Sequence, residues 1–440
     1  MIRLLLLLII ITGLGMGAAW MADHPGSVTL YWFDYRIDTS VAFLLTLLAV
    51  AMLVLAYIFI LLRAIILAPA HFSERRQLKH YHKGMAELTH GIAALAAADI
   101  KGADTHTRKA ERLLGQTPLT LLLAAQVARG QGDEAKTRLL LTQMLEHKET
   151  EFLAARSLAD AASKQQMFTK ALPLAQRATA INPREKSSAV SVIGLNIRLG
   201  GWQEALQAIS KSAWKGALNR RDKHYYRCLV YLLQGMKLLD DGQAEAALTH
   251  ARAALKQSPE FAPATVFAAR TLVTAGKPHE AVKLALKYWN RTPHPELAAS
   301  LRVAMAKEPK EKQMKYARKL AAALPGHVES DLAMAETAIK FKEWGTARAS
   351  LKAVLAKEES MRACKLMAYV EQGEFSDFDA AGRWLARSTD AHPDPAWTCH
   401  DCQHTAEHWN THCDHCSGFD TMEWKEQKPL VFAATGSDGL

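Results

Sequence analysis

Four cysteines near the C-terminus carry the clearest chemical signal in this 440-residue chain. They stand as Trp397-Thr-Cys399-His-Asp-Cys402, then ten residues, then Cys413-Asp-His-Cys416-Ser-Gly418, a C-x2-C-x10-C-x2-C pattern. A C-x2-C turn can hold two sulfurs about 4 Å apart on one tetrahedral metal, and two such turns complete four ligands. Thiolates in that geometry select zinc, or iron in a rubredoxin-like site. Such a site is closed, with no position left for a substrate, so its role is structural or regulatory. A pair of disulfides conflicts with the reducing compartment deduced below. A thioredoxin-like reading needs a βα context that is missing. His400, His404, His408 and His412 recur every four residues, and His415 lies within the second knuckle. They are alternative ligands or a second site, or simply the histidines that short polar loops collect. The last is the expectation.

A second cluster mixes cations with aromatics: Lys211, Trp214, Lys215, Arg220, Arg221, Lys223, His224, Tyr225, Tyr226 and Arg227. Lys215, Arg220, Arg221, Lys223, Tyr225 and Tyr226 are candidates for contact with an acidic partner, a phosphate or a porphyrin propionate. The plainer reading, which is favoured, is a solvated and slightly longer helix with its tyrosine pair turned into the core. Cys228 and Cys364 are isolated on helical stretches and read as buried structural thiols. The chain holds no G-x-x-x-x-G-K-[ST], no H-E-x-x-H, no G-x-S-x-G and no usable flavin or nicotinamide loop. It reads as a non-enzyme.

The elements that position these residues follow from composition. Hydrophobic residues are 49% and charged residues 22%, which is globular. Gly and Pro total 39 of 440, too few for a linker-dominated or many-turned all-β chain. Six cysteines are too few for a disulfide scaffold. The net charge of +10 suits an anionic membrane surface or an acidic partner; nucleic acid is not among the expected partners.

Two uncharged runs, Leu4 to Trp20 and Val41 to Leu62, read as membrane helices. The second would span roughly 33 Å. The first is at the short limit, and Arg3, the leucines and Ala18, Ala19 and Ala22 also fit a cleavable signal peptide. Arg63, Arg75, Arg76, Lys79 and Lys83 follow the second run, whereas the loop from Met21 to Ser40 is acidic. Everything after Leu62 is therefore expected in the cytoplasm of a bacterium, behind its inner membrane. Gly13 and Gly17 form a GxxxG that would admit the second helix, or a second copy of the chain; the equal alternative is that glycine is simply common in membrane helices.

From His71 to Ala391 apolar residues recur at three and four, as in Leu119, Leu122, Leu123 and Val127. A longer period overlies this. Ala135, Ala171, Ala205, Ala246, Ala281, Ala317, Ala347 and Ala381 follow turns at steps of 36, 34, 41, 35, 36, 30 and 34. Pro183, Pro259, Pro293, Pro325 and Pro393 mark pair ends. A period near 34 with Gly, Ala and Pro in that order resembles the tetratricopeptide repeat, whose helix pairs stack into a solenoid with a concave binding face. The expected fold is all-α: a tetratricopeptide-like solenoid with two N-terminal transmembrane helices and a small C-terminal metal ribbon. The expected divisions are 1–67 for the anchor, 68–393 for the array, 394–426 for the metal module and 427–440 for a flexible tail.

Taken together, the loop Asp23-His-Pro-Gly-Ser-Val-Thr-Leu-Tyr-Trp-Phe-Asp-Tyr-Arg-Ile-Asp-Thr-Ser40, the basic juxtamembrane helix, the repeats and the ending Phe419-Asp420-Thr421-Met422-Glu423-Trp424 resemble the bacterial HemY family in its α-proteobacterial form. The resemblance implies a membrane-bound scaffold in the late, porphyrin-handling steps of haem biosynthesis, with haem-synthesis enzymes as partners. It does not imply the flavin-dependent oxidase that shares the name. The usual knuckle has Pro after its first Cys and Gly after its second. Here His400 and Gln403, then Asp414 and Ser417, take those places, which bears on the tightness of the knuckles rather than their existence. The lipopolysaccharide-assembly adaptor shares the anchor, repeats and knuckles but has one membrane helix. It implies an alternative, the delivery of an envelope-biosynthesis enzyme to a membrane protease. A third reading is direct haem or porphyrin binding through the basic aromatic cluster.

Overall fold

The computed structural model describes residues 12–13, 15–17, 19–20, 26–33, 35–211 and 216–427. Most of the first apolar run, Lys215 and the tail beyond 427 lie outside them. The chain divides into two units, Met1–Gln131 and Gly132–Leu440.

In the first unit, the segment expected as a loop is a β-hairpin. Strand β1 (Ser27–Trp32) pairs antiparallel with β2 (Tyr35–Ser40), from Ser27 opposite Ser40 to Trp32 opposite Tyr35. Val28, Thr29, Tyr31, Trp32 and Ile37 are β-branched or aromatic, and Phe33 takes the left-handed backbone (φ 54°) that a tight hairpin turn needs. Ser40 then caps α1 (Val41–Ala96), its Oγ accepting from the Phe43 N–H at 3.3 Å. Val41–Arg63 is the candidate membrane span, and none of it is buried within the protein. A core helix of a soluble protein would be covered. The expected division at residue 67 falls inside α1, which runs unbroken from the span to its packing against α2 (Ile100–Leu114) and α3 (Pro118–Gly130). Leu88, Ala103, Ala110, Leu123 and Val127 form that core. Among the described residues nothing lies within 4 Å of a Cβ built at Gly13 or Gly17.

The second unit begins with α4 (Glu134–Met144) and continues as helix pairs: α5 (Lys148–Lys164) with α6 (Phe168–Ile181), α7 (Lys186–Arg198) with α8 (Trp202–Ser210), α9 (Arg220–Asp240) with α10 (Ala244–Gln257), and α11 (Ala262–Thr274) with α12 (Pro278–Tyr288). Then come α13 (Pro295–Ala304) with α14 (Lys310–Ala323), α15 (Val328–Lys340) with α16 (Trp344–Leu355), and α17 (Met361–Phe375) with α18 (Phe378–Asp390). This is a tetratricopeptide-like solenoid.

Its period is sharper in the backbone than in the sequence. The residue just before the N-cap of a second helix is left-handed at Ala98, Gly132, Gln166, Gly200, Gly242, Gly276, Lys342 and Ser376. The steps are 34, 34, 34, 42, 34, 66 and 34. Four residues after the cap comes the closest-packed position, filled by Ala171, Ala205, Ala247, Ala281, Ala347 and Ala381, all buried. Two expected markers are thereby corrected. Ala246 is only half-buried and Ala247 holds the contact, while Ala135 is exposed and α4 instead buries Leu140, Leu141 and Met144. The packing position counts from the cap, not from a glycine. The 42-residue step is the lengthening of α9, which has 21 residues where α7 and α11 have 13.

Successive first helices touch, at α9–α11, α11–α13, α13–α15 and α15–α17, whereas second helices do so comparably at α12–α14. The closer-spaced side is the inner, concave face. After α18 the chain reverses along the start of α17, with the Met361 N–H on His392 O and the His392 N–H on Glu359 O, both 2.9 Å. It then forms a three-stranded ribbon in the order β4-β3-β5, with β3 (Ala396–Cys399), β4 (Thr405–Ala406) and β5 (Met422–Lys425).

Candidate metal centre

The four thiols converge. Sγ of Cys399 lies 3.6 Å from that of Cys416, and Cys402 lies 3.6 Å from Cys413; all four sulfurs fall within 4.8 Å of one another. A tetrahedral zinc with bonds of about 2.3 Å needs sulfurs about 3.8 Å apart, so the residues fit a metal. None of the six cysteines is in a disulfide, and Cys228 and Cys364 are buried thiols on α9 and α17 as expected.

The two knuckles share one geometry. The Cys399 N–H donates to His404 O (2.8 Å) and the Gln403 N–H to Cys399 O (2.9 Å). The Cys413 N–H donates to Gly418 O (2.9 Å) and the Ser417 N–H to Cys413 O (2.8 Å). Gln403 (φ 59°) and Ser417 (φ 58°) occupy the left-handed position that glycine usually fills. The knuckles therefore close, at about 1–2 kcal/mol of strain for each of these residues.

Burial raises the Cys399 thiol, but its hydrogen bond with Thr421 and those from the N–H groups of Cys402 and Asp401 outweigh it and bring it down to about 6. Burial pushes Cys416 up to about 12. Four thiols in one volume cannot all ionise unaided; a divalent cation lets the rest follow. Among the described residues no histidine joins the ligand group. His404 and His415 stack at 5.7 Å on the exposed side, and His412 packs on Phe419.

The ribbon does not hang free at the end of the array. It folds back onto the inner face. Phe419 sits on Gly194 of α7, where an added Cβ would lie 2.7 Å from the ring. The Tyr225 O–H of α9 donates to Asp420 Oδ1 at 2.6 Å. Trp409 meets Phe261 at the start of α11, edge to face at 5.3 Å. Trp424 and Trp397 flank His294, the N-cap of α13, at 4.4 and 5.6 Å. Burial brings His294 down to about 4, so it is neutral there.

The basic aromatic cluster resolves accordingly. Tyr225 and Tyr226 point at Asp420 of the ribbon; Arg220 and Arg221 stay exposed at the start of α9, and Lys223 is half-buried. The tyrosines are turned inward, as the plainer reading expects, but toward the metal module. The sequence carried no sign of this seat beyond the aromatic, acidic run from Phe419 to Trp424.

Burial pushes Asp420 up to about 6, although Tyr225 and Tyr226 donate to it and His400 and Lys186 lie near. A raised acid binds its proton more readily in the seated state, so its contribution is present at low pH and lost as pH rises through about 6. We expect about 1 kcal/mol of seating stability to be lost between about pH 5.5 and 8. Asp420→Asn, which keeps the acceptor for Tyr225, flattens that profile in thermal melts; an unchanged profile would exclude Asp420 as its source.

Residues 26–132 match the protein-family model described as the HemY protein N-terminus, and residues 238–304 match a tetratricopeptide-repeat model. The resemblance to HemY read from the sequence is thus found in the family model. A "probable magnetosome protein Mms48" of Magnetospirillum gryphiswaldense is 26% identical over 448 residues, taking in 100% of this chain and 98% of that protein. The protein HemY of Escherichia coli (strain K12) is 32% identical over 133 residues, 30% of this chain and 33% of that protein. The chain thus spans about a third of the length of that HemY relative. Among solved structures, a tetratricopeptide repeat protein from Parabacteroides merdae aligns over 58% of this chain and 99% of its own, at 14% identity and a TM-score of 0.34.

Proposed function

We propose that this HemY-like membrane protein is a non-catalytic scaffold, whose array faces the cytoplasm and holds enzymes of late haem synthesis at the inner membrane. The observation that carries the scaffold reading is the closed four-thiolate centre seated on a repeat array. Such a centre stiffens a binding surface and leaves no coordination site for a substrate. The haem assignment is drawn from the match to the HemY N-terminus. The orientation rests on the lysines and arginines that follow the span. Zinc is the expected metal, with iron the other thiolate-compatible choice.

The full-length likeness to a protein named for magnetosomes favours a second reading, in which the same scaffold serves that compartment. Direct porphyrin binding gains little from Tyr225 and Tyr226, whose rings pack on each other and on Phe261 while the Tyr225 hydroxyl is held by Asp420. The protease-adaptor reading keeps only the shared parts.

Crosslinking the full-length protein in its membrane, with identification of the captured proteins, tests the proposal. Ferrochelatase or porphyrinogen-oxidising enzymes are expected. Capture of magnetosome proteins, or of a protease with its substrate, would move the scaffold to those partners. No protein captured along the array would overturn the scaffold itself.

A further inference from the structure

We propose that the partner site on the array is the cleft between the ribbon and the first helices α5 and α7, and that it takes an extended, acidic segment of a partner protein with apolar side chains interspersed. The proposal rests on the scaffold reading and narrows it to one surface.

Most of the inner face from α7 to α13 is already taken. Phe419 covers Gly194, Asp420 holds Tyr225, Trp409 covers Phe261 and Trp424 covers His294. An open cleft of about 1010 Å³ is left beside the ribbon. Its walls come from α5 and α7 on one side and from both knuckles on the other, so it is complete only while the module is seated. It lies at the top of the roughly 300–1,000 Å³ range of small-molecule pockets and is open to solvent, which leaves room for an extended peptide.

Charge selects the kind of peptide. The carboxylates of the cleft are engaged. Glu185 accepts from the Ser187 and Ser188 N–H groups at the start of α7, Asp420 from Tyr225, and Asp401 lies 3.1 Å from His400. Asp160 is engaged as well. Lys186 is paired with Asp222 at 2.8 Å and Arg156 lies 3.7 Å from Glu185. Lys164 and Arg198 are exposed, and among the described residues neither has a carboxylate partner. The Arg198 guanidinium lies over the Phe168 ring at 5.0 Å, and Phe419 and Val190 add apolar surface. Two cations without a carboxylate partner, beside aromatic and branched side chains, match alternating acidic and apolar residues.

The test uses the full-length chain loaded with zinc in nanodiscs. The probe is a fluorescein-labelled peptide of about ten residues, alternating Glu with Ala and bearing one Phe. Its twin carries Lys for Glu. Anisotropy should show the Glu peptide binding about tenfold more tightly than the Lys peptide, the preference reversing in Lys164→Glu/Arg198→Glu. Arg252→Glu, at an exposed site on the second helix α10, should leave it unchanged. If the double variant loses its circular dichroism, Arg198→Ala alone should still reduce the preference. Equal binding of the two peptides, or a preference that survives the double variant, would overturn the proposal. Self-association lost in the same variant would assign the cleft to a second copy of the chain and overturn it too. The scaffold reading stands or falls separately, on whether crosslinked partners are found anywhere along the array.

Discussion

Removing the metal should unfold residues 394–426 and lift them off the inner face while leaving the helices intact. The ribbon has three strands of four, two and four residues around Trp397, Cys399, Cys413 and Met422, a core far too small to fold alone. In modules of this size metal binding is itself the folding free energy, about 10–16 kcal/mol at neutral pH. Without the cation the thiols crowd one another, and the left-handed Gln403 and Ser417 relax. The seat then goes as well, since Phe419, Asp420 and Trp424 hold their positions only within the folded ribbon. Chelation, or Cys399→Ser with Cys413→Ser, should therefore give fast hydrogen exchange across 396–425 and new exposure around Gly194, Tyr225 and Phe261. Tryptophan emission should shift to the red with little change in far-ultraviolet circular dichroism. Continued protection of the ribbon in the chelated protein would mean that packing on the array suffices, and the metal reading would fail. The same experiment tests the proposed limits of the module.

The second large effect is expected at Arg362 on α17. Its Nη1 lies 3.0 Å from Glu329 Oε2 and its Nε 2.9 Å from Glu336 Oε1, both on α15, and its backbone N–H meets Asp394 Oδ1 at 3.3 Å. Arg302 of α13 reaches the other oxygen of Glu336 at 2.5 Å. The guanidinium thus joins two repeats, and the backbone N–H of the same residue holds the segment leading into the ribbon. Burial works against the Arg362 charge, and Glu329 and Glu336 more than restore it. Burial also pushes Glu329 and Asp394 upward. Arg362→Ala would leave the half-buried Glu329 without its cation and Glu336 with Arg302 alone, at a cost of about 3 kcal/mol at neutral pH, the lower end for breaking a buried pair. The sign of the pH dependence follows. Acids whose folded pKa is raised bind more protons folded than unfolded, so the variant should regain stability as pH falls from about 7 to 5. Denaturant melts at the two pH values measure it. A cost below about 1 kcal/mol that does not vary with pH would show that the carboxylates are hydrated and the network is a surface one.

Part of this structure is plain in the residues. The candidate ligand set Cys399, Cys402, Cys413 and Cys416 shows because each knuckle is local, four residues long, and its chemistry needs no distant partner. The span from Val41 shows because lipid demands an unbroken apolar run. The repeats show through alanine and a spacing near 34. Their register was harder to read, since half of the left-handed turn positions hold Ala98, Gln166, Lys342 and Ser376 rather than glycine. A residue forced into that conformation by the packing of two helices leaves no mark in its own type. The hairpin before the span was missed because its strands are short and lie beside a far stronger apolar signal.

The candidate ligands, the candidate membrane span and the helical period are legible in the residues alone, because knuckle turns, apolar length and the 3.6-residue face are all written within a few neighbouring residues. The tertiary structure alone decided that the cysteine ribbon lies on the inner face and leaves a cleft beside it. That decision is made by pairs such as Tyr225 with Asp420, 195 residues apart. Such contacts form only when the stacked repeats bring first helices side by side and the chain turns back at His392, a geometry that belongs to the assembled array and to no local stretch of it.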